Sequence, residues 1–313
     1  MSLDQKFENL ILNVSCRAAL SSYYYIGKKD KIAADKAAVD TMRSELNKID
    51  MKGQIVIGEG ELDEAPMLYI GEKVGTSNGP ELDIAVDPLE GTNFAANNQP
   101  GALSVIAISS KSNLFNAPET YMNKISAKIK EKNVIDLDFS VKKNIDNLAQ
   151  YKNKKPEELT ACILDRPRHK KIIEELKDLK VKIKLISDGD VSGAILVTDN
   201  KYNVDLFLGI GGGPEGVLAA SALDAYDCYF QGKFLFDNEK DKLRAKQMGI
   251  KDLERKYYIN EIVSGDSIFC ATGITTGDLV SGIKIENEEF VSETLITHKS
   301  TGLKKIIQLK QKI

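Results

Sequence analysis

A chain of 313 residues can bury a large core and has the length of one big domain or two ordinary ones. Its 42% hydrophobic and 28% charged content is that of a folded globular protein, and a formal net charge of −3 provides no global basic field to hold nucleic acid. The opening MSLDQKFENLILNVS carries acids where a signal peptide needs a basic start, and nowhere does the chain approach the roughly 18 apolar residues that span a bilayer, so a cytoplasmic protein with no membrane partner is expected.

Residues 4 to 26 set Phe7, Leu10, Ile11, Val14 and Ala18 at helical spacing ahead of Gly27, a natural stop. A second helix is expected over KIAADKAAVDTMRSELNKID, with Ala34, Ala38, Met42, Leu46 and Ile49 as its buried stripe and Asp35 in its first turn. The period then changes. QIVI (54 to 57), LDIAV (82 to 86), ALSVIAI (102 to 108), ACIL (161 to 164), VKIKLI (181 to 186) and VDLFLGI (204 to 210) read as strands, most of them apolar without alternation, as in sheets covered on both faces. The polar, proline-containing YKNKKPEELT (151 to 160) suggests a boundary between domains at 1–157 and 158–313. Beyond residue 226, DCYFQGKFLF reads as a hairpin around Gln231-Gly232, with later short strands at SIFCATGI and GIKI. The fold class is α/β.

Cys16, Cys162, Cys228 and Cys270 lie far apart and read as buried small side chains, and the two histidines, His169 and His298, are too few for a zinc or copper site. A metal in this chain must be hard and oxygen-bound.

Five of the strands lead straight into charged or glycine-rich segments: GEGELDE, DPLEGTN, DRPRHK, SDGD and GGGPEG. Ligands of open α/β sheets bind outside the carboxyl ends of strands, so these segments are candidates for a common site. Glu59, Glu61, Asp63, Glu64, Asp87 and Glu90 crowd into the first two, and such crowding calls for cations. Carboxylates without histidine suit Mg²⁺ or Mn²⁺, ions that commonly complete their shell with substrate phosphate. Gly91 would let the backbone approach an anion, and Thr92 adds a hydroxyl, with a helix start just after as a further aid. Arg166 and Arg168 flank Pro167 and could clamp a second phosphate, or continue a surface charge run into His169-Lys170-Lys171. Asp188 and Asp190 around Gly189 could accept from sugar hydroxyls, or form an ordinary acidic turn. Tyr121 alone says nothing. Gly211, Gly213 and Gly216 also fit G-x-G-x-x-G, the mark of a dinucleotide-binding oxidoreductase, although Pro214-Glu215 sets a carboxylate where a pyrophosphate would sit. A non-catalytic sugar-phosphate or metal binder is the third alternative.

DPLEGT resembles the DPxDGT signature of the lithium-sensitive inositol monophosphatase superfamily. Together with Lys29-Asp30-Lys31, IVIGEGELDEAPMLYIGEKVG, DRPRH, DGD and GIGGGPEG, it makes the chain similar to class II fructose-1,6-bisphosphatases from about Asp30 to Gly277. The resemblance implies a layered α-β-α-β-α sandwich of two domains with the active site between them, and hydrolysis of fructose 1,6-bisphosphate in gluconeogenesis and glycerol metabolism. Sedoheptulose 1,7-bisphosphate and inositol phosphates are the alternative substrates. It implies Asp35, Glu59, Asp87, Glu90 and Glu215 as ligands of Mn²⁺ or Mg²⁺. For the substrate it implies Glu90, Gly91 and Thr92 at the reacting phosphate, and Tyr121, Arg166, Pro167, Arg168, Asp188, Gly189, Asp190 and Gly212 around the rest. Asp35 and Thr92 would orient the attacking water, with Asp63 as a second candidate for the proton. Glu90 stands for the superfamily's second aspartate, as is usual for class II, and Arg166 stands where some members have lysine, which keeps the charge but changes its geometry. A homo-oligomer, dimer or tetramer, is expected.

Overall fold

A computed structural model of the chain describes residues 2–60 and 67–313. The chain folds into two compact units, one of residues 1–117 with 263–313 and one of residues 118–262. The boundary expected near residue 157 falls inside the second unit. Strand pairing is the reason, because the segment just after residue 117 adds a strand to the sheet of residues 160–235, and the chain beyond 262 pairs back onto the first sheet.

In the first unit, α1 (Lys6–Tyr23) and α2 (Lys31–Leu46) precede β1 (Lys52–Ile57), β2 (Lys73–Val74), β3 (Glu81–Glu90), α3 (Thr92–Ala96) and β4 (Leu103–Ser110). Most of each expected stripe is buried, Phe7, Ile11, Val14 and Ala18 on α1 and Ala34, Ala38, Met42 and Leu46 on α2, whereas Leu10 is exposed and Ile49, though buried, lies past the end of α2. The buried residues form one core with Ile84 and Val86 of β3 and Ile106 and Ile108 of β4. Helix α1 ends at Tyr23, before Gly27, which takes a left-handed φ of 75° and donates its N–H to the Ala95 carbonyl at 2.9 Å. Asp30 caps α2 by accepting from the Ala33 N–H at 2.9 Å. Asp35 is the fifth residue of α2, so the first turn holds no acid, one position short of the expectation.

The second unit runs β5 (Tyr121–Ala127), α4 (Val141–Lys152), β6 (Thr160–Leu164), α5 (Lys170–Asp178), β7 (Lys182–Ile186), α6 (Asp190–Ile195), β8 (Leu206–Gly212), α7 (Gly213–Ala225), β9 (Tyr229–Leu235), α8 (Glu239–Gln247), β10 (Lys256–Tyr258) and α9 (Ile259–Ile262). Its sheet order is β10-β9-β5-β8-β6-β7, with β6 parallel to both neighbours and β5 antiparallel to β8 and β9. Ile145 and Leu148 of α4 and Leu176 of α5 share a core with Ile125, Ala161, Ile163 and Leu208. Gly193 and Gly216 bring α6 and α7 close to the opposite face, against Phe207 and Met122. One sequence reading fails here. Within DCYFQGKFLF the residues Tyr229–Leu235 form one strand, β9, rather than a hairpin, because Gln231 and Gly232 are held in a continuous ladder opposite Ile125 and Lys124. Strand β7, the run in which lysines alternate with apolar residues, is an edge strand with no fully buried residue.

The chain then returns to the first sheet with β11 (Ser267–Gly273), β12 (Lys284–Glu286), β13 (Glu289–His298) and β14 (Leu303–Lys312). The order β12-β13-β11-β4-β3-β1-β2, with β14 on β13, completes a second mixed sheet of an α/β protein. No described helix is long and apolar enough to cross a membrane.

Candidate active site

The first unit gathers its acids at one sheet end. Strands β1 and β3 are parallel, with Ile57 opposite Ala85, so Glu59 leaves the sheet beside Asp87. Gly58 is required there because any side chain would collide with the Leu68 carbonyl, which in turn accepts the Glu59 N–H at 3.0 Å. Asp87 to Glu90 was expected to be a loop but belongs to β3, and it carries a bulge. Asp87 faces Val105 and Glu90 faces Leu103, so Pro88 and Leu89 oppose Ser104 alone. In a regular strand residues three apart point to opposite faces. The extra residue cancels that alternation and sets both carboxylates on one face. Proline suits the bulge because it has no N–H to offer the ladder.

Gly91 follows with φ 78°, where an added Cβ would come within 2.8 Å of the Phe94 ring, and Thr92 opens α3. Asp35 comes from α2, which packs on β3 and α3. Glu61, Asp63 and Glu64 lie outside the described residues. Glu72 was passed over in the sequence, yet it is 5% exposed and its carboxylate holds both the Arg43 guanidinium, at 2.5 Å, and the Leu68 N–H. Its role is to anchor this corner.

The donor set is oxygen-only, the kind that takes Mg²⁺ or Mn²⁺. Glu90 is 4% exposed, and burial pushes the Asp35 carboxyl above its ordinary range, so both stand where a cation would offset the cost of ionising them. Among the described residues no group of three or more acidic, histidine or cysteine side chains closes around one point. The fit therefore lies in donor type and burial rather than in a finished cage.

In the second unit β6, β7 and β8 run parallel, so DRPRHK, SDGD and GGGPEG all emerge at the same sheet edge, and Tyr121 at the start of β5 lies opposite Gly212. Arg168 donates from Nε and one Nη to the Ile210 carbonyl, at 3.0 and 2.8 Å, and its guanidinium lies 4.7 Å from the centre of the Tyr121 ring. Arg166 donates to the Ser187 carbonyl at 2.5 Å and stands 3.7 Å from the Asp188 carboxylate. Pro167 opens the short turn between them. Each guanidinium keeps donors beyond those bonds.

His169 belongs to the framework rather than to a surface charge run. It is fully buried, accepts the Ile210 N–H at Nε2 (2.8 Å) and donates from Nδ1 to the Leu164 carbonyl (2.7 Å). Only the neutral ring can do both, and burial accordingly holds its pKa below the ordinary imidazole range.

The glycine run has a steric cause. A Cβ on Gly211 would collide with the Asp190 carboxylate, and one on Gly212 with the Glu215 carboxylate. Burial pushes the Glu215 carboxyl up, against the pull of Lys124, and Asp190 and Asp188 push the same way as burial. Gly189 is left-handed at φ 83°, which explains the glycine between two aspartates. With two carboxylates packed on its backbone, this turn has no place for a pyrophosphate, and β9 next in sequence pairs with β5 and β10 rather than with β8. The dinucleotide reading is set aside.

Lys124 escaped the sequence reading altogether. It is 1% exposed on β5, pairs with the Asp190 carboxylate and donates to the Gly212 carbonyl at 2.7 Å. A lysine inside a short apolar stretch was the available signal, but Asn123-Lys124 broke the run that would have marked the strand.

Carboxylates aligned by a bulge ahead of a helix start suit phosphoryl chemistry, and arginine forks beside hydroxyl acceptors suit a phosphorylated sugar. The class so defined is the phosphoric monoester hydrolases. Residues 5–311 match the family described as "Bacterial fructose-1,6-bisphosphatase, glpX-encoded", and the chain belongs to that family. It is a class II fructose-1,6-bisphosphatase by descent. The D-fructose 1,6-bisphosphatase class 2/sedoheptulose 1,7-bisphosphatase of Prochlorococcus marinus (strain MIT 9515) is 43% identical over 300 residues, covering 91% of this chain and 90% of that protein. The protein of the same description from Trichodesmium erythraeum (strain IMS101) is 42% identical over 299 residues, covering 88% of this chain and 87% of its own. A solved inositol monophosphatase-fructose 1,6 bisphosphatase, the MJ0109 gene product, is 12% identical over 62% of this chain and 72% of its own, with a TM-score of 0.37, too low a likeness to argue from.

Proposed function

We propose that the chain removes the 1-phosphate of fructose 1,6-bisphosphate by direct attack of water, with Asp35, Glu59, Asp87, Glu90 and Glu215 as the residues that would hold Mn²⁺ or Mg²⁺. The observation that carries this reading is the bulge at Pro88-Leu89, which aligns Asp87 and Glu90 just before Gly91 and Thr92. When bound, the ion lowers the pKa of water and offsets charge on the phosphoryl oxygens. The chain's own residues do the rest. The Thr92 hydroxyl and the Asp35 carboxylate orient the water, with Asp35 and Asp63 as the candidates to take its proton. Gly91 leaves the backbone open to the reacting phosphate.

Arg166 and Arg168 hold the 6-phosphate, braced by the Ser187 and Ile210 carbonyls, with Pro167 fixing their spacing and Tyr121 backing Arg168. Asp188, Gly189, Asp190 and Gly212 meet the sugar. Activity on sedoheptulose 1,7-bisphosphate belongs to the same proposal, supported by the bifunctional description of both relatives. A cytoplasmic homo-oligomer, dimer or tetramer, serving gluconeogenesis and glycerol metabolism is proposed on family membership alone. The test is phosphate release from fructose 1,6-bisphosphate, sedoheptulose 1,7-bisphosphate, inositol 1-phosphate and fructose 6-phosphate at fixed Mn²⁺. The two bisphosphates should turn over, and the monophosphates at least about tenfold more slowly. Equal rates on all four would contradict the reading.

A further inference from the structure

The second unit contains one fully buried cation, Lys124, in the middle of its sheet. Strand β5 lies between β8 and β9, and Lys124 faces a glycine on each side, Gly209 and Gly232. Its side chain shares a strand face with Met122 and Ser126, the face that α7 covers, since a Cβ on Gly216 would meet both Met122 and the Lys124 stem. Burying an ammonium is costly unless it is paired and hydrogen-bonded. Both conditions are met by its two hydrogen-bond partners, the Asp190 carboxylate and the Gly212 carbonyl.

Asp190 is the first residue of α6 and Gly212 the residue just before α7, at the sheet end where the arginines stand. Asp190 has the other oxygen of its carboxylate, Oδ1, buried and without a hydrogen-bond partner. Hydrophobic burial alone could not define which oxygen of Asp190 is paired and which is left with a free acceptor, or how the Gly212 carbonyl is turned. An ammonium bonded to both does so, because its three donors are directional and its stem is packed along its length. A framework role would be served as well by apolar side chains in place of both Lys124 and Asp190, which would avoid the cost of desolvation.

We propose that Lys124 is a positioning residue for the substrate: it fixes the Asp190 carboxylate and the Gly212 carbonyl in the orientation that binds the sugar, and never touches the sugar itself. The proposal rests on the reading of Asp190 and Gly212 as sugar-binding residues. Its consequence is that Lys124 acts on affinity through Asp190, so the two should not contribute independently.

The experiment compares the parent enzyme with K124M, K124R, D190N and the double variant K124M/D190N. KM and kcat are measured for fructose 1,6-bisphosphate, together with calorimetric binding of fructose 6-phosphate in chelator and a melting curve for each protein. The double variant removes both charges at once, which keeps a folded protein available if K124M alone, with Asp190 buried and unpaired, does not fold. D190N should weaken fructose 6-phosphate binding about tenfold or more, the scale of one charge-assisted hydrogen bond. K124M should weaken it to a similar extent, K124R less, and the double variant no more than D190N alone. A lysine that only supports the fold would lower the melting temperature while leaving KM and product affinity of the folded enzyme unchanged, and that result overturns the proposal. So does a double variant whose loss is the product of the two single losses. If D190N itself binds normally, the sugar-binding reading of Asp190 fails and the proposal falls with it, whereas a defective D190N beside a normal K124M sinks the proposal alone.

Discussion

Thr92 stands at the first position of α3, directly after left-handed Gly91, and its hydroxyl is the one neutral polar group in the segment from Asp87 to Thr92. If it orients the attacking water, Thr92→Val should lower kcat by about 10² or more while KM barely moves, and Thr92→Ser should keep much of the rate. Steady-state kinetics at saturating Mn²⁺, with melting curves to exclude misfolding, decide the point. Arg168 is read through its second phosphate. Losing a charge-assisted contact costs about 1.5 to 3 kcal/mol, so Arg168→Ala should raise KM for fructose 1,6-bisphosphate by roughly one to two powers of ten and change KM for a monophosphate far less. Equal effects on both would show that it does not bind the second phosphate. At this scale the sequence was legible in placement, since the segments carrying Arg166, Arg168 and Asp188, each beside a glycine or proline, do leave the same end of parallel strands. It was illegible for Lys124, Glu72 and His169, each of which has a partner 29 to 88 residues away that leaves no local trace.

Elements were legible where their period is clean. The stripes of α1 and α2 and the apolar runs of β3, β4, β6 and β8 announce themselves, whereas β5 hides behind Asn123-Lys124, and Gln231-Gly232 in β9 imitates a turn that the ladder on both sides overrides. The bulge in β3 was invisible because it exists only relative to β4. Two predictions belong to the ends of β6 and β8. Gly212→Ala should displace the Glu215 carboxylate, and a displacement of about 1 Å costs on the order of 10² in rate, so kcat/KM should fall by that factor with a small change in melting temperature. An unchanged rate would mean that Glu215 does not take part. The neutral His169 ring ties Leu164 to Ile210. Its pKa is depressed on folding, so between the folded value and the unfolded value of about 6.5 the unfolded chain binds the extra proton. The stabilising effect is therefore present above pH of about 6.5 and lost as pH falls, by at most about 1.4 kcal/mol per pH unit. Denaturant unfolding at pH 7.5 and 5.5 should show a smaller loss in His169→Gln than in the parent protein.

At the scale of the whole molecule the first unit is discontinuous, closed by strands from both ends of the chain. A polar segment with a proline at 151–160 looked like a boundary, but it only joins α4 to β6, and no local composition could reveal that β5 pairs with β8 and β9. A fragment of residues 118–262 should accordingly unfold cooperatively, whereas one of residues 158–313, deprived of β5 and β4, should not; circular dichroism melting of the two compares them directly. The central claim is that the carboxylates at the ends of β1 and β3 work by holding a divalent cation against a sugar phosphate. Phosphate release from fructose 1,6-bisphosphate, followed in excess chelator and again after Mn²⁺ or Mg²⁺ is restored, tests it most directly. The account predicts that activity vanishes with the chelator, returns with the ion, and fails to return in folded Asp87→Ala. Full turnover in excess chelator would contradict it.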